Sequence, residues 1–183
     1  HASSPQGRFS GGAALIDGCT FTGAFAHGKH LFVPFDSGMP TPHVLHVHLG
    51  LYGAWSFAVA AGHPLASTAY PLLMAAGEGT APRMIGSSSN FIAPPPRGAV
   101  RLRLLGQQAV ADLNGPSQCE VLTPAEVDLV RARLGPDPLL KDSDPAIFIR
   151  AVQSSRRAIG ELLMDQRVIS GVGNIYRAEL LFR

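Results

Sequence analysis

Leu162-Leu163-Met164-Asp165-Gln166-Arg167-Val168-Ile169-Ser170-Gly171-Val172-Gly173-Asn174-Ile175-Tyr176-Arg177-Ala178-Glu179-Leu180-Leu181-Phe182-Arg183 reads as helix, glycine-rich turn, helix. The second helix opens just after Gly171 and Gly173, with Asn174 in its first turn. Such an opening presents free backbone N–H groups and the positive end of the helix dipole, which suits a phosphate. Arg157, Arg167, Arg177 and Arg183 lie near it in sequence. The pattern points to a polyanion, with DNA or RNA the first candidate. The plain alternative is that the glycines only permit a sharp turn between helices and that Asn174 is a cap.

Composition sets the frame around this stretch. The 183 residues are 46% apolar, enough to bury a core, and suit one large domain or two small ones. The formal net charge is only +2, so a nucleic-acid surface must come from local clustering. From Arg150 onward six arginines face three acids, Glu161, Asp165 and Glu179, a net excess of three positive charges. Thirteen of the fifteen basic residues are arginine, leaving Lys29 and Lys141 as the side-chain amines available for imine chemistry. Cys19 and Cys119 fit neither a disulfide framework nor a CxxC zinc site, and reduced thiols favour a cytoplasmic setting. No stretch is apolar enough to span a membrane, and no signal peptide is visible. The chain opens on His1 and stops at Phe182-Arg183 within a helical pattern, and both ends read as cut.

The remaining pattern predicts an α+β chain, with an N-terminal antiparallel β-sandwich-like domain over 1–120 and an all-helical domain over 121–183. Ala13 to Gly18 is read with the β structure, ending in a turn. Cys19 to Phe25 and Leu31 to Phe35 alternate as two hairpin-linked strands around Ala26-His27-Gly28-Lys29-His30. His43 to Leu49, Ala54 to Ala60, Ala99 to Leu105 and Gln107 to Leu113 are further strands. Residues 62–98, rich in Pro, Gly and Ser, read as a long surface loop, and Asp112 to Pro116 as a turn. Thr123-Pro124-Ala125-Glu126 is a capping box opening a helix to about Leu134. Asp144-Pro145 opens a helix to about Val152, and Ser154 or Ser155 caps another from Arg156 to Asp165.

Other residues carry candidate chemistry. Lys29, between His27 and His30 at a hairpin tip, is either a solvated turn lysine or a phosphate contact. Leu51-Tyr52, between Gly50 and Gly53, is either a loop folded back on the core or a wedge for a base stack. His46 and His48 share a strand face, and with no third ligand near them they are read as polar packing rather than metal. Glu126 is explained by its capping box, and neither it nor Glu120 is assigned a catalytic role.

These segments together resemble the formamidopyrimidine-DNA glycosylase/endonuclease VIII family, most closely its actinobacterial endonuclease VIII branch. The resemblance rests on Asp165-Gln166, Ile169, Gly171-Val172-Gly173-Asn174-Ile175-Tyr176, Glu179 and Leu181-Phe182, similar to the family's helix–two-turn–helix signature. Gly28-Lys29-His30-Leu31, His48-Leu49-Gly50-Leu51-Tyr52-Gly53 and Leu134-Gly135-Pro136-Asp137-Pro138-Leu139 match three further family segments. The resemblance implies excision of oxidised bases from double-stranded DNA, then cleavage of the abasic strand through an imine. Lys29, Gly171, Gly173, Asn174 and Arg157 would grip backbone phosphates, and Leu51 and Tyr52 would fill the gap left by a flipped nucleotide. Asn114 stands where relatives often carry an arginine facing the opposite strand. The family's catalytic N-terminal Pro-Glu and its first helix have no counterpart here, so no catalytic residue is identified. The four-cysteine zinc hairpin is likewise expected in a missing C-terminal part, so this chain is expected to bind no metal or cofactor. The resemblance further implies a monomer in a bacterial cytoplasm, associated with the nucleoid. The alternative for this polypeptide is a catalytically dead module that binds damaged or abasic DNA.

Overall fold

The computed structural model describes residues 1–61, 83–87 and 91–183. Among these residues ten strands form two sheets. The first has the order β1 (Ala2–Ser3), β8 (Val100–Leu105), β9 (Ala109–Asn114), β6 (Ala54–Ala61), β7 (Arg83–Ser87). The second runs β10 (Gln118–Leu122), β5 (His43–His48), β4 (His30–Asp36), β2 (Thr20–Phe21), with β3 (Phe25–His27) also on β4. The pairings are antiparallel except β6 with β7.

The period-two alternation explains how the sheets stack. Val33 and Phe35 of β4 and Leu45 and Val47 of β5 point inward, against Trp55 of β6, Leu102 of β8 and Leu113 of β9. Leu45, Leu102 and Leu113 are fully buried. The α+β, sandwich-like expectation holds. Arg103 and the buried Asp112 form a two-pronged ion pair at 2.7 Å across β8 and β9, a geometry that compensates the loss of water around both groups.

Three local expectations are corrected. Residues near 13–18 are not β structure: α1 (Ser10–Ile16) is a helix. Its two glycines weaken intrinsic helix preference, but Phe9, Ala13 and Ile16 fall on one face and bury against both sheets, and that burial decides the conformation. Gly12 is required there because a Cβ would overlap the Phe9 ring. The 1–120 region thus has a helix of its own. The loop expected over 62–98 lies largely outside the described residues, yet Arg83–Ser87 is strand, pairing Ala58 with Arg83 and Val59 with Met84. Its backbone is satisfied by the open edge of β6, a partner remote in sequence. Asp112 to Asn114 belong to β9 rather than a turn, and the reversal is confined to the residues after Asn114.

Four helices follow. The capping box forms as expected at α2 (Pro124–Arg131): the Glu126 N–H donates to Thr123 Oγ1, and the Thr123 N–H donates to Glu126 Oε2. α2 lies on the outer face of the second sheet, with Val127 against Phe32 and Val44. It ends at Arg131, three residues before the expected Leu134. Asp144 caps α3 (Pro145–Gln153) through the Ala146 N–H. α4 (Ile159–Met164) starts later than expected. Ser155 accepts the Arg157 N–H in a local turn, and burial of Leu162 and Leu163 sets where the helix forms. α5 (Asn174–Phe182) opens at Gly173, as read from the sequence.

Leu113 sits between the two sheets with no exposed surface. Leu113→Ala is expected to cost about 2–5 kcal/mol, seen as a lower urea midpoint with an unchanged slope. A loss under about 1 kcal/mol would mean the site collapses around the truncation, contrary to a well-packed intersheet core.

Candidate nucleic-acid interface

The hairpin β3–β4 places Lys29. Gly28 and Lys29 form its two-residue turn, closed by the His27–His30 pair. Gly28 has φ of +58°, a left-handed conformation that disfavours side chains. It also presses on the distant glycine-rich turn: a Cβ would lie 2.9 Å from the Gly171 nitrogen. The Gly28 N–H donates to Asp137 Oδ2 at 2.7 Å, and Asp137 Oδ1 accepts the Leu139 N–H at 2.9 Å. His27 Nε2 bonds the Gly135 carbonyl at 3.0 Å. Asp137 is buried, so its charge is balanced by the N–H groups it accepts.

This seam delivers Lys29 to the helical turn. Its Nζ donates to the Val172 carbonyl at 2.7 Å and lies 3.4 Å from where a Gly173 Cβ would stand. Partial burial lowers its pKa from the ordinary lysine value. Gly171 has φ of +88°, and its N–H donates to Gln166 Oε1 at 2.9 Å. Gln166 Nε2 donates to Val172 O at 2.9 Å. Gln166 thus holds the turn from within. Sequence reading treated it only as part of a motif, although a glutamine two residues after a helix end can reach a nearby turn. The first recurrent bond of α5 joins the Arg177 N–H to Gly173 O, so the N–H groups of Asn174, Ile175 and Tyr176 lie before the ladder begins. Asn174 is exposed at this opening. Lys29, read from the sequence apart from the Gly171–Gly173–Asn174 turn, joins it to form one cationic, donor-rich turn.

Leu51 and Tyr52 project from the β5–β6 loop at 84% and 85% exposure. The loop is not folded back on the core. The Gly53 N–H closes it on Leu49 O at 3.0 Å. Two protruding apolar side chains on a tight, braced loop are suited to burial by a partner. Asn114 ends β9 opposite Ala54 and Val100. Gly115 follows it against Tyr52, a Cβ position there being 3.4 Å from the Tyr52 carbonyl oxygen.

Arg157 is placed elsewhere. It pairs with Asp165 at 2.9 Å and Glu161 at 3.5 Å, in a cleft shared with Gly160, Met164 and Arg177. Asp165 also binds Arg167 at 3.1 Å. Arg167 first, then Arg157, hold the Asp165 carboxyl far below the usual carboxylate range. Arg157 is therefore engaged with acids rather than gathered with Lys29.

His46 and His48 form polar packing, as expected. His46 is 1% exposed and bonds Glu120 Oε1 and His30, while His48 bonds Ser117 Oγ at 2.7 Å. Sequence reading missed the roles of His30 and Glu120. Burial lowers the His30 pKa to about 4, helped by His48, His46, His27 and Lys29. Cys19 and Cys119 are unpaired, and burial pushes the Cys119 thiol up to about 12. Among the described residues no group of three or more His, Cys, Asp or Glu is arranged to hold a metal ion.

Residues 134–183 match the formamidopyrimidine-DNA glycosylase H2TH domain. These residues carry that family's H2TH domain, and the chain is a homologue of an endonuclease 8 over nearly its whole length. It is 42% identical to Endonuclease 8 1 of Mycobacterium tuberculosis over 99% of this chain and 56% of that protein. It is 31% identical to the formamidopyrimidine-DNA glycosylase of Rhodopseudomonas palustris over 93% of this chain and 52% of that protein. The chain thus spans about half the length of these relatives. Lactococcus lactis Fpg, solved in complex with an abasic-site-containing DNA, shares the fold with a TM-score of 0.68 at 18% identity, over 98% of this chain and 57% of that one.

Two outcomes follow from this geometry. Gly28→Ala adds backbone strain and a clash with Gly171, so a loss of about 1–3 kcal/mol in chemical denaturation is expected; an unchanged midpoint would mean that the seam yields. For His30, the folded pKa of about 4 lies below the unfolded value near 6.5. The unfolded chain therefore binds the extra proton between these values, and stability falls as pH drops from about 6.5 toward 4. His30→Phe is expected to shrink that acid loss in denaturation curves at pH 7.5 and 5. An identical loss in the variant would refute the assignment.

Proposed function

We propose that this chain is the phosphate-gripping and void-filling part of a base-excision DNA glycosylase with abasic-site lyase activity. The observation that carries the reading is Lys29 Nζ seated on the Gly171–Gly173 turn beside the opening of α5. An ammonium group and free helix N–H groups converge there, as a backbone phosphate requires. Lys29 and Asn174 grip phosphates flanking the lesion. Leu51 and Tyr52 enter the stack where the damaged nucleotide leaves it, and Asn114, at the end of β9 beside that loop, faces the opposite strand. Arg157, half-exposed and paired with Asp165 and Glu161, adds a further backbone contact.

The reading divides the chain into a β-rich unit over 1–120 and a helical unit over 121–183. The partner is double-stranded DNA carrying a damaged base or an abasic site, bound by a monomer in the bacterial cytoplasm on nucleoid DNA. No helix among the described residues is long and apolar enough to cross a membrane. The nucleophilic amine and proton shuttle of the excision reaction, and any zinc hairpin, are assigned to sequence outside residues 1–183. Support comes from the relatives, named as an endonuclease 8 and a formamidopyrimidine-DNA glycosylase.

The enzymatic reading is tested by borohydride trapping of the full-length protein on an abasic-site duplex. A covalent adduct is expected; its absence overturns the lyase assignment. For the chain itself, binding to a duplex with a tetrahydrofuran abasic analogue should fall steeply with salt. Lys29→Ala is expected to weaken binding and reduce the salt slope by about one. Leu51→Ala with Tyr52→Ala should narrow the preference for abasic over intact duplex. Affinity and preference unaltered by these changes would place DNA on another face.

A further inference from the structure

The outer face of the second sheet carries a hydrogen-bonded column that the clamp described above does not use. Glu120 of β10 stands opposite His46 of β5, and His46 stands opposite Phe32 of β4; His30, opposite His48, is the diagonal neighbour of His46 on the same face. Glu120 Oε1 lies 2.8 Å from His46 Nδ1, and His46 Nε2 lies 2.8 Å from His30 Nδ1. The His30 and His46 rings are stacked, 5.1 Å apart and 15° from parallel. Phe32 continues the stack on His46 at 4.8 Å, and His48 lies 4.7 Å from His30 at the other end. His46 is walled in at 1% exposure, so both of its ring nitrogens are committed to these two partners.

The bonds dictate where protons sit. A carboxylate only accepts, so His46 carries a proton on Nδ1. In the neutral column His46 Nε2 is then an acceptor, and His30 donates to it from Nδ1. That leaves His30 Nε2 as a bare lone pair at the open end. Adding one proton at Nε2 turns that nitrogen into a donor. The His30 Nδ1 proton can shift to His46 Nε2, and the His46 Nδ1 proton toward Glu120, so the added positive charge is shared toward a carboxylate. Nothing else is consumed: one proton enters from solvent, and two hydrogen bonds keep their atoms.

The open end lies between the two parts of the candidate interface. His30 follows Lys29 directly, and His48 accepts the Gly50 N–H that leads into the Leu51–Tyr52 loop. The groups that face the column are His27 of β3, Lys29 of the turn, His46 and His48 of β5, Glu120 of β10, and Arg131 of α2, whose guanidinium covers Phe25 beyond Phe32. Asp137, the nearest acid on the helical side of the seam, is already occupied by the N–H groups of Gly28 and Leu139. Apart from Glu120 the surroundings are cationic or cationic when protonated. Burial first, and then these neighbours, hold His30 neutral in the free protein. An anion at Lys29 would remove the repulsion and favour the protonated column.

We propose that Glu120, His46 and His30 form a proton relay that couples binding of a DNA backbone phosphate at Lys29 to uptake of a proton, turning His30 Nε2 from acceptor to donor toward that phosphate. His30 is the contacting group, and His46 and Glu120 are positioning residues that act through it. The proposal rests on the reading that Lys29 faces DNA.

Calorimetric titration of the intact chain with a tetrahydrofuran-containing duplex, in PIPES and in Tris at pH 6.5–7, measures the protons taken up. Uptake approaching one proton per complex is expected, with affinity rising by up to about tenfold per pH unit between pH 7.5 and 6. His46→Phe, which keeps the stack without the bonds, and Glu120→Gln should each reduce the uptake and flatten the pH profile, and Glu120→Asp should restore part of it. Nitrogen-15 spectra of the wild-type histidines should show His46 protonated at Nδ1, a readout that needs no variant. Absence of binding, or binding indifferent to Lys29→Ala, overturns the clamp reading itself. Lys29-dependent binding without proton uptake, or with uptake unchanged in both variants, or a His46 lacking its Nδ1 proton, overturns the relay alone.

Discussion

The candidate interface depends on one contact, the seating of the Gly28–Lys29 turn on the Gly171 turn. Two backbones can approach this closely only where neither carries a side chain, and Gly28 and Gly171 both adopt positive φ there. Asp137 fixes the approach by accepting the Gly28 N–H from the helical side, and His27 does the same in reverse on the Gly135 carbonyl. Each bond satisfies a group that the close packing would otherwise leave dry and unpaired. Lys29 is carried along as a consequence: once Gly28 is seated, its neighbour reaches the Val172 carbonyl.

The two sheets and α2 make that contact stiff. β4 grows out of the Lys29 turn and runs through the intersheet core, where Val33 and Phe35 are buried. Its opposite face holds Phe32 under Val127 of α2. A strand packed on both faces cannot tilt without disturbing both clusters, so the position of Lys29 is set by burial well away from it. The same strand supplies His30 to the outer column. β4 thus links core, clamp and histidine stack, each through residues of fixed parity.

Legibility from sequence varied with the range of the cause. The capping box at Thr123, the cap at Asp144 and the opening of α5 at Gly173 were readable because donor, acceptor and turn lie within a few residues. α1 was misread because its conformation comes from burial of Phe9, Ala13 and Ile16 against strands far along the chain. β7 was hidden among turn-forming residues because its partner is the β6 edge. The pairing of Arg157 was not legible because sequence does not reveal that Asp165 is shared between it and Arg167. Gln166 stood in the motif without showing that its side chain holds the turn, and Glu120 without showing its histidine partner.

By itself the sequence determined the alternation that builds two sheets, the helix starts at Thr123, Asp144 and Gly173, and the identity of Lys29, Gly171, Gly173 and Asn174 as the residues able to meet a phosphate. These follow from side-chain chemistry and backbone freedom acting over a turn or less. Only the tertiary structure decided that Lys29 meets a turn 143 residues away, that Leu51 and Tyr52 stand out rather than fold in, and that three histidines and a glutamate form one column. Those outcomes depend on which distant surfaces bury one another, because the strength of a buried hydrogen bond or ion pair is set by the partners and the dielectric that packing creates.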